Sequence, residues 1–550
     1  MLNLPLPTTE SLTIEFKSDR TRLPDRDLVE ALVGLANAEG GTLFLGVEDD
    51  GRPTGLHQAH LNLDGLPATV ANLTRPPLVV RVNALNAGAI PLALIEVPKS
   101  RRIIATVNGV ALRRRLRPDG SPENVPMYPS EFVSREVDLG LLDYSALPVE
   151  ASIEEDLDPL ERVRLRQMIE RYRGDQALLP LTDPELDEAL GFMHVRGSRR
   201  IPTVSGLLVL GKERALKTHL PTHEVAFQVL EGTEVRVNTF HRTPLLRAFE
   251  HLDEQFRVRY VEQELAAGLF RVPIPNFDPR AFREALVNAF VHRDYTRLGA
   301  VHVLWEGDGI TFSNPGGFPE GVTQENLLTV RPTPRNPILA DAIKRIGIAE
   351  RTGRGVDRIF EGLLRFGRPA PDYSASGATG VSVKLSGGQA DLNFLKGVLM
   401  EERRRGEPLS VDALIVLTRL RHERRLATAE LAHAIQRSEP TARTVLEKLV
   451  ESGLIEAHGN THRSYTLSSR LYREFGESVA YVRQSGIEPI RQEEMVLRLV
   501  RTKGTIKRGE VIDLCRLTES QAKGLLARLV KDGRLVQEGQ KRGAFYRLKT

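Results

Sequence analysis

Glu10-Ser-Leu-Thr-Ile-Glu15-Phe-Lys17 and Gly40-Gly41-Thr-Leu-Phe-Leu-Gly46-Val-Glu-Asp49-Asp50-Gly51 decide how the chain begins to fold. In the first, Leu12, Ile14 and Phe16 alternate with Thr13, Glu15 and Lys17, the period of a half-buried strand. Pro24 then stands where a helix can begin, with Asp25 and Asp27 in its first turn. Leu28, Leu32, Leu35 and Ala36 follow at helical spacing, and Gly40-Gly41 ends that helix. Residues 42–47 read as a buried strand and Asp49-Asp50-Gly51 as a turn. Two more apolar strands are expected at 78–82 and 92–97. The Asn108-Gly109 turn then leads into Val110-Ala-Leu-Arg113-Arg114-Arg115-Leu-Arg117. The opening stretches place carboxylates, a lysine and glycines at the edge of a small sheet. Such a cluster can hold a divalent metal on a nucleic-acid backbone, or it can be a well-capped α/β scaffold.

The 550 residues exceed what one core serves, so roughly three to five domains are expected. The 41% hydrophobic and 27% charged fractions are those of an ordinary soluble protein. No apolar run reaches about 18 residues, so no membrane span is expected. Residues 1–7 lack a basic region followed by a long apolar stretch, so no secretory signal is expected and the cytoplasm is the default location. Cys515 is the only cysteine, which excludes an intrachain disulfide and any zinc site built on several thiolates. The net charge of +4 is uneven. Residues 391–550 hold 30 Lys and Arg against 21 Asp and Glu, or +9, and residues 1–390 hold 46 against 51, or −5. A basic C-terminal third suits a polyanion partner, or is a solvated helical surface.

The N-terminal pattern resembles the Schlafen/AlbA-type nucleic-acid-binding domain. The resemblance rests on the Glu10/Glu15-Phe16-Lys17 opening, the Gly40-Gly41 strand entry, Gly46–Gly51, and the basic strand before Met127-Tyr-Pro-Ser-Glu131. It sets a domain over 1–140. In Schlafen relatives two glutamates and a later aspartate form a metal-dependent RNase site, which the resemblance places at Glu10, Glu15 and Asp49, with magnesium or manganese as the ion. On a continuous strand Glu10 and Glu15 have opposite parity and converge only if the chain bends near Ser11. Most bacterial members are DNA-binding proteins. For that role Lys17 and the bidentate donors Arg113, Arg114 and Arg115 are the candidates.

Residues 141–199 read as a helical linker, with a charged helix near 150–175. A domain over 200–390 begins with a buried strand at 206–212 and another at 223–230, and 243–268 reads as helical. Asp278-Pro279 then opens a helix whose Glu284 and Asn288, four apart, share a face. Strands follow at 300–306 and from Ile310, running into Asn314-Pro-Gly-Gly317-Phe. Gly353-Arg-Gly355 precedes an amphipathic helix at 359–366. This order resembles a divergent Bergerat-fold (GHKL-type) ATP-binding domain. The resemblance implies ATP with magnesium as cofactor, Glu284 as general base, Asn288 as magnesium ligand, and Asn314, Gly316, Gly317, Gly353 and Gly355 as nucleotide-binding residues. The usual Asp-x-Gly-x-Gly is here Asn314-Pro-Gly-Gly-Phe318, without the carboxylate.

The last third repeats itself at an offset of 80. Leu449-Val-Glu-Ser-Gly453 aligns with Leu529-Val-Lys-Asp-Gly533, and each copy ends in an aromatic strand. Two helices, a turn, a third helix and two strands resemble the winged-helix form of helix-turn-helix, setting domains at 391–470 and 471–550. The last helix of each copy would read DNA, with Arg443 and Lys448 in one and Lys523 and Arg528 in the other. Wings would carry His462/Arg463 and Lys541/Arg542.

The expected protein is thus multidomain α+β: a Schlafen/AlbA-type α/β module, a Bergerat-like α/β sandwich and two winged helices. The expected function is a homodimeric DNA-binding transcriptional regulator with a nucleotide-sensing or dimerising centre. The alternative is a metal-dependent Schlafen-like nuclease acting on RNA or DNA, with ATP as a gate.

Overall fold

The computed structural model describes residues 6–117, 119–267, 270–349, 353–459, 463–468, 470–471, 489–515, 517, 519–539 and 544–548. Strand β1 (Ile14–Lys17) pairs parallel with β2 (Gly41–Leu45), from Ile14↔Thr42 to Lys17↔Leu45. A parallel pair needs a crossover, supplied by α1 (Asp25–Ala36), whose Leu28, Leu32 and Leu35 are buried. A Cβ on Gly41 would lie 2.2 Å from Thr13 O, and its φ is +143°, so only glycine admits β2 beside the first strand. β3 (Arg81–Ala87) and β4 (Ile90–Val97) complete a sheet in the order β1-β2-β4-β3. The strand expected at 78–82 starts later because the Leu78 N–H donates to the Thr74 hydroxyl, 2.8 Å, and not to a neighbouring strand. A hairpin of β5 (Leu112–Leu116) and β6 (Pro122–Pro126) leads into α2 (Pro129–Asp138).

Residues 141–199 are part of a folded domain, not a linker. α3 (Pro159–Arg171), capped by the Asp158 side chain, sends Leu165, Met168 and Ile169 into the core that also holds Phe192, Phe282 and Phe312. The apolar run at 206–212, expected as a strand, is helix α4 (Val204–Leu210). Continuous burial leaves no periodicity to read, and the Thr203 hydroxyl decides the outcome by accepting from the Gly206 N–H at 3.1 Å.

The central sheet runs β8-β7-β9-β10-β11: β7 (Val225–Glu231), β8 (Glu234–His241), β9 (Val301–Glu306), β10 (Gly309–Pro315) and β11 (Gly380–Ser386). Only the β7–β9 pair is parallel. The helix expected over 243–268 is shorter: α5 (Leu245–Arg259) ends before Glu262–Ala267, which pairs antiparallel with Phe270–Pro275. α6 (Pro279–Val291) lies on the sheet, where Phe282 meets Phe312 edge-on at 5.3 Å. α7 (Pro337–Ile346) and α8 (Gly355–Leu364) follow.

α9 (Leu392–Arg405) leads to two copies of one unit. The first is α10 (Val411–Glu423), β12 (Leu426–Ala427), α11 (Thr428–Ala434), α12 (Glu439–Glu451), β13 (Ile455–His458) and β14 (Ser464–Leu467). The second is α13 (Pro489–Lys503), β15 (Thr505–Lys507), α14 (Arg508–Cys515), α15 (Glu519–Lys531), β16 (Leu535–Glu538) and β17 (Phe545–Leu548). Each has a three-stranded sheet with the last strand in the middle. The leading strand of each sheet is an element that sequence reading did not anticipate. Ala442, Leu446 and Leu449 are buried in one copy, and Ala522, Leu526 and Leu529 in the other. Among the described residues no helix is long and apolar enough to cross a membrane.

Candidate nucleotide site and nucleic-acid surfaces

The start of α6 is set by Asp278, whose carboxylate accepts from the Arg280 and Ala281 N–H groups at 2.7 and 3.1 Å. One and a half turns on, Glu284 and Asn288 line a cavity of about 240 Å³. A single water needs roughly 10–15 Å³ of such volume, so the space takes a ligand of many atoms. Asn314 enters from the end of β10, and Gly353 and Gly355 enter from the start of α8. Five candidates from three separate segments therefore line one cavity. Glu284 is buried, and a Cβ on Gly355 would stand 2.7 Å from its Oε2. The Asn314 Nδ2 donates to Pro315 O at 3.2 Å, an arrangement that directs its amide.

Gly316 and Gly317 do not line the cavity. Gly316, at φ +92°, packs against Asp294 and Arg335, and a Cβ on Gly317 would lie 2.7 Å from Gly377 O. Both are packed closely against neighbouring segments. Sequence reading passed over the segment that roofs the cavity, from Phe318 to Pro334, together with Lys344 and the half-buried His292. The available signal was a run of about twenty residues without regular structure, punctuated by Pro319, Pro332 and Pro334. Burial, with Arg335 and Lys344 nearby, pulls the His292 pKa down to about 4, so its imidazole is neutral at pH 7.

At the N-terminus the chain does bend at Ser11, whose N–H donates to Ile14 O at 3.0 Å, so the parity objection falls. Glu10 and Glu15 nevertheless converge on a guanidinium. Arg114, its side chain 1% exposed, is ion-paired with Glu15 and lies 3.9 Å from Glu10. It also donates to Ser11 O and Ile14 O at 2.8 and 2.9 Å. Asp49 is exposed on its turn. Among the described residues no three His, Cys, Asp or Glu side chains are placed to hold a metal. A cation between the two glutamates would meet the Arg114 charge, so the donor set does not fit a shared magnesium or manganese ion.

Arg114 is accordingly a structural residue and not a surface phosphate donor. Its neighbours are also paired: Arg113 with Glu131 at 2.5 Å, and Arg115 and Arg117 with Glu123 at 2.8 and 2.9 Å. Lys17 pairs with Glu15 at 2.5 Å and stays 31% exposed. In the C-terminal copies, Arg443 and Lys448 on α12 and Lys523 and Arg528 on α15 are all exposed, at equivalent positions. Arg443 lies 3.8 Å from Glu439, and Arg528 lies 3.0 Å from Glu493. Lys541, Arg542 and His462 lie outside the described residues; Arg463 is described and pairs with Glu447 at 3.3 Å.

Residues 10–117 match the family model Schlafen, AlbA_2, over the sheet, the Arg114 cluster and β5. The chain carries a Schlafen AlbA_2 domain. Residues 299–385 match HATPase_c_4, described as "Putative ATP-dependent DNA helicase recG C-terminal". That HATPase-type match runs from β9 through β11 and begins after α6, so Glu284 and Asn288 join the site by geometry alone. Residues 135–226 match a domain of unknown function, DUF8451. The crystal structure of the DIP2311 protein from Corynebacterium diphtheriae is similar at 22% identity and a TM-score of 0.50, over 98% of this chain and 95% of that one. At that identity the likeness is one of fold. No curated protein matches the chain.

Proposed function

We propose that the protein is a DNA-binding regulator whose HATPase-type domain binds ATP with magnesium. The convergence of Glu284, Asn288, Asn314, Gly353 and Gly355 on one cavity carries this reading. The residues present fit the group. Asn288 supplies a neutral oxygen donor, the kind of hard ligand magnesium takes, and Glu284 beside it supplies a carboxylate base. The N-terminal turn of α8, opened by Gly353 and Gly355, offers backbone amides to phosphates. Lys344 and Arg331 on the cavity wall add positive charge. Asn314 takes the place of a base-reading carboxylate, and its carbonyl accepts from an exocyclic amine. If hydrolysis occurs, Glu284 is the general base.

The two C-terminal copies, read as winged helices, supply DNA contact through α12 and α15. Two copies of the chain suit a two-fold DNA site. The Schlafen AlbA_2 domain supports the nucleic-acid reading, through exposed cations other than Arg114. No cleavage step is assigned to Glu10, Glu15 and Asp49. The deciding experiment is thermal unfolding with and without ATP and magnesium. Stabilisation in the wild type that disappears in Asn288→Ala is expected; no stabilisation by any nucleotide overturns the reading.

A further inference from the structure

The roof of the cavity, residues 318–334, is held by both ends of the molecule. On the N-terminal side, Lys99 of the Schlafen AlbA_2 domain bridges Glu39 at 2.9 Å and Glu320 of the roof at 3.0 Å. The Glu320 N–H donates to the carbonyl of Asp138, the last residue of α2, at 3.2 Å. Burial lowers the Lys99 pKa, but the paired carboxylates outweigh it and leave a net rise. At the far end of the roof, the buried Arg335 pairs with the Asp138 carboxylate and donates to His292 O and Gly317 O at 3.0 and 2.7 Å. Ser134 of α2 donates to the buried Asp294 at 2.6 Å. The same helix of the N-terminal domain thus touches both feet of the roof and the segment that follows α6.

The middle of the roof belongs to the first C-terminal copy. Gln436 sits in the turn between α11 and α12 at φ +56°. Its Oε1 accepts from the Leu328 N–H and its Nε2 donates to Gln324 O, both at 2.8 Å. Leu328, Val356 and Tyr373 line the cavity and also pack against the core of that copy. Neither Gln436 nor Lys99 lines the cavity. One amide holds two backbone groups of the roof from the turn that precedes α12, the helix that carries the exposed Arg443 and Lys448. Any shift of the roof on a ligand therefore moves that turn, or breaks these two bonds.

We infer that Gln436 and Lys99 are positioning residues that couple occupancy of the cavity to the placement of the two nucleic-acid-binding parts, with the roof as the shared element. This rests on the nucleotide reading of the cavity. Coupling of this kind is reciprocal, so ATP changes DNA affinity by the factor by which DNA changes ATP affinity. A ligand shifts the arrangement only by its differential affinity for the two roof positions.

The test uses the full-length protein, ATP with magnesium, and a duplex DNA that it retains. In the wild type, saturating ATP is expected to change DNA affinity about fivefold or more, the usual lower end of such coupling. In Gln436→Ala that ratio falls to near one, while ATP-dependent thermal stabilisation persists. Gln436→Glu keeps the acceptor for Leu328 but sets a carboxylate against Gln324 O, so it gives a reduced ratio and separates the two bonds from a general loss of packing. Lys99→Ala is the second variant, should the turn not tolerate change, and is expected to lower the ratio in the same way. An unchanged ratio in both Gln436→Ala and Lys99→Ala overturns the coupling while the nucleotide site stands. Absence of ATP stabilisation in the wild type overturns the nucleotide site itself.

Discussion

The carboxylate of Glu284 fills the space where a side chain on Gly355 would begin, 2.7 Å from that missing Cβ. Glu284 of α6 and the first turn of α8 therefore meet through a glycine. Gly355→Ala is expected to push Glu284 into the cavity and to cost about 1–3 kcal/mol of stability from overpacking. ATP-dependent stabilisation should vanish in the same variant, measured by thermal unfolding with and without nucleotide. A full nucleotide shift in Gly355→Ala would show that α8 and Glu284 move apart freely.

Removing the buried guanidinium of Arg114 leaves Glu15, itself 3% exposed, without its ion-pair partner on that side. Breaking a buried pair by deleting one member costs about 3–5 kcal/mol. Arg114→Met is expected to unfold the Schlafen AlbA_2 domain selectively, seen as rapid proteolysis of residues 10–117 while the rest of the chain resists. A well-folded variant with weakened DNA retention would instead mean that Arg114 serves at the surface.

Two desolvated histidines, the buried His223 and the half-buried His292, set an acid limit. Burial holds the pKa of both His223 and His292 at about 4, against 6.5 for a free imidazole. The unfolded chain takes up these protons first. Their stabilising contribution is thus complete above about pH 6.5 and is lost as the pH falls toward 4. At about 1.4 kcal/mol per unit, each histidine accounts for about 3 kcal/mol across that window. Denaturant midpoints measured from pH 7 to 4.5 should fall, and the slope should lessen in His292→Asn. A flat profile would contradict the desolvation of both rings.

Arg443 and Lys523 occupy equivalent exposed positions on α12 and α15. Replacing either by alanine is expected to weaken DNA retention about uniformly across sequences and to reduce the salt slope by about 1 for each phosphate left unneutralised. Retention titrated against salt for Arg443→Ala and Lys523→Ala tells which copy engages DNA. An unaltered slope in the double variant would make both copies protein-binding modules.

Much of the local architecture was legible in advance. Asp278-Pro279 marked the start of α6, Gly40-Gly41 the entry to β2, and the 80-residue offset a repeated unit whose helices occupy the same relative positions. These signals are local: a cap, a positive φ, an apolar period. Where the apolar run was continuous, as at 206–212, no period remained and the strand expected there is a helix.

Charge told less than it promised. Arg113, Arg114, Arg115 and Arg117 read as one basic patch, yet each is paired with a carboxylate within the domain. A sequence shows charges without saying which face solvent. Arg114 is buried because Ser11 and Ile14, about a hundred residues earlier, bring their carbonyls to it.

By itself the sequence determined those elements that carry a cap, a turn or an apolar period, the repeat, and the pairing of Glu284 with Asn288 on one helical face, because a helix sets residues four apart on one side whatever surrounds it. Only the tertiary structure decided that Gly353 and Gly355 belong to their cavity and Gly316 and Gly317 do not, that Arg114 closes the cluster of Glu10 and Glu15, and that Gln436 and Lys99 grip one roof. Those outcomes depend on packing between segments tens to hundreds of residues apart, whose geometry is set by whole domains and leaves no mark in local spacing.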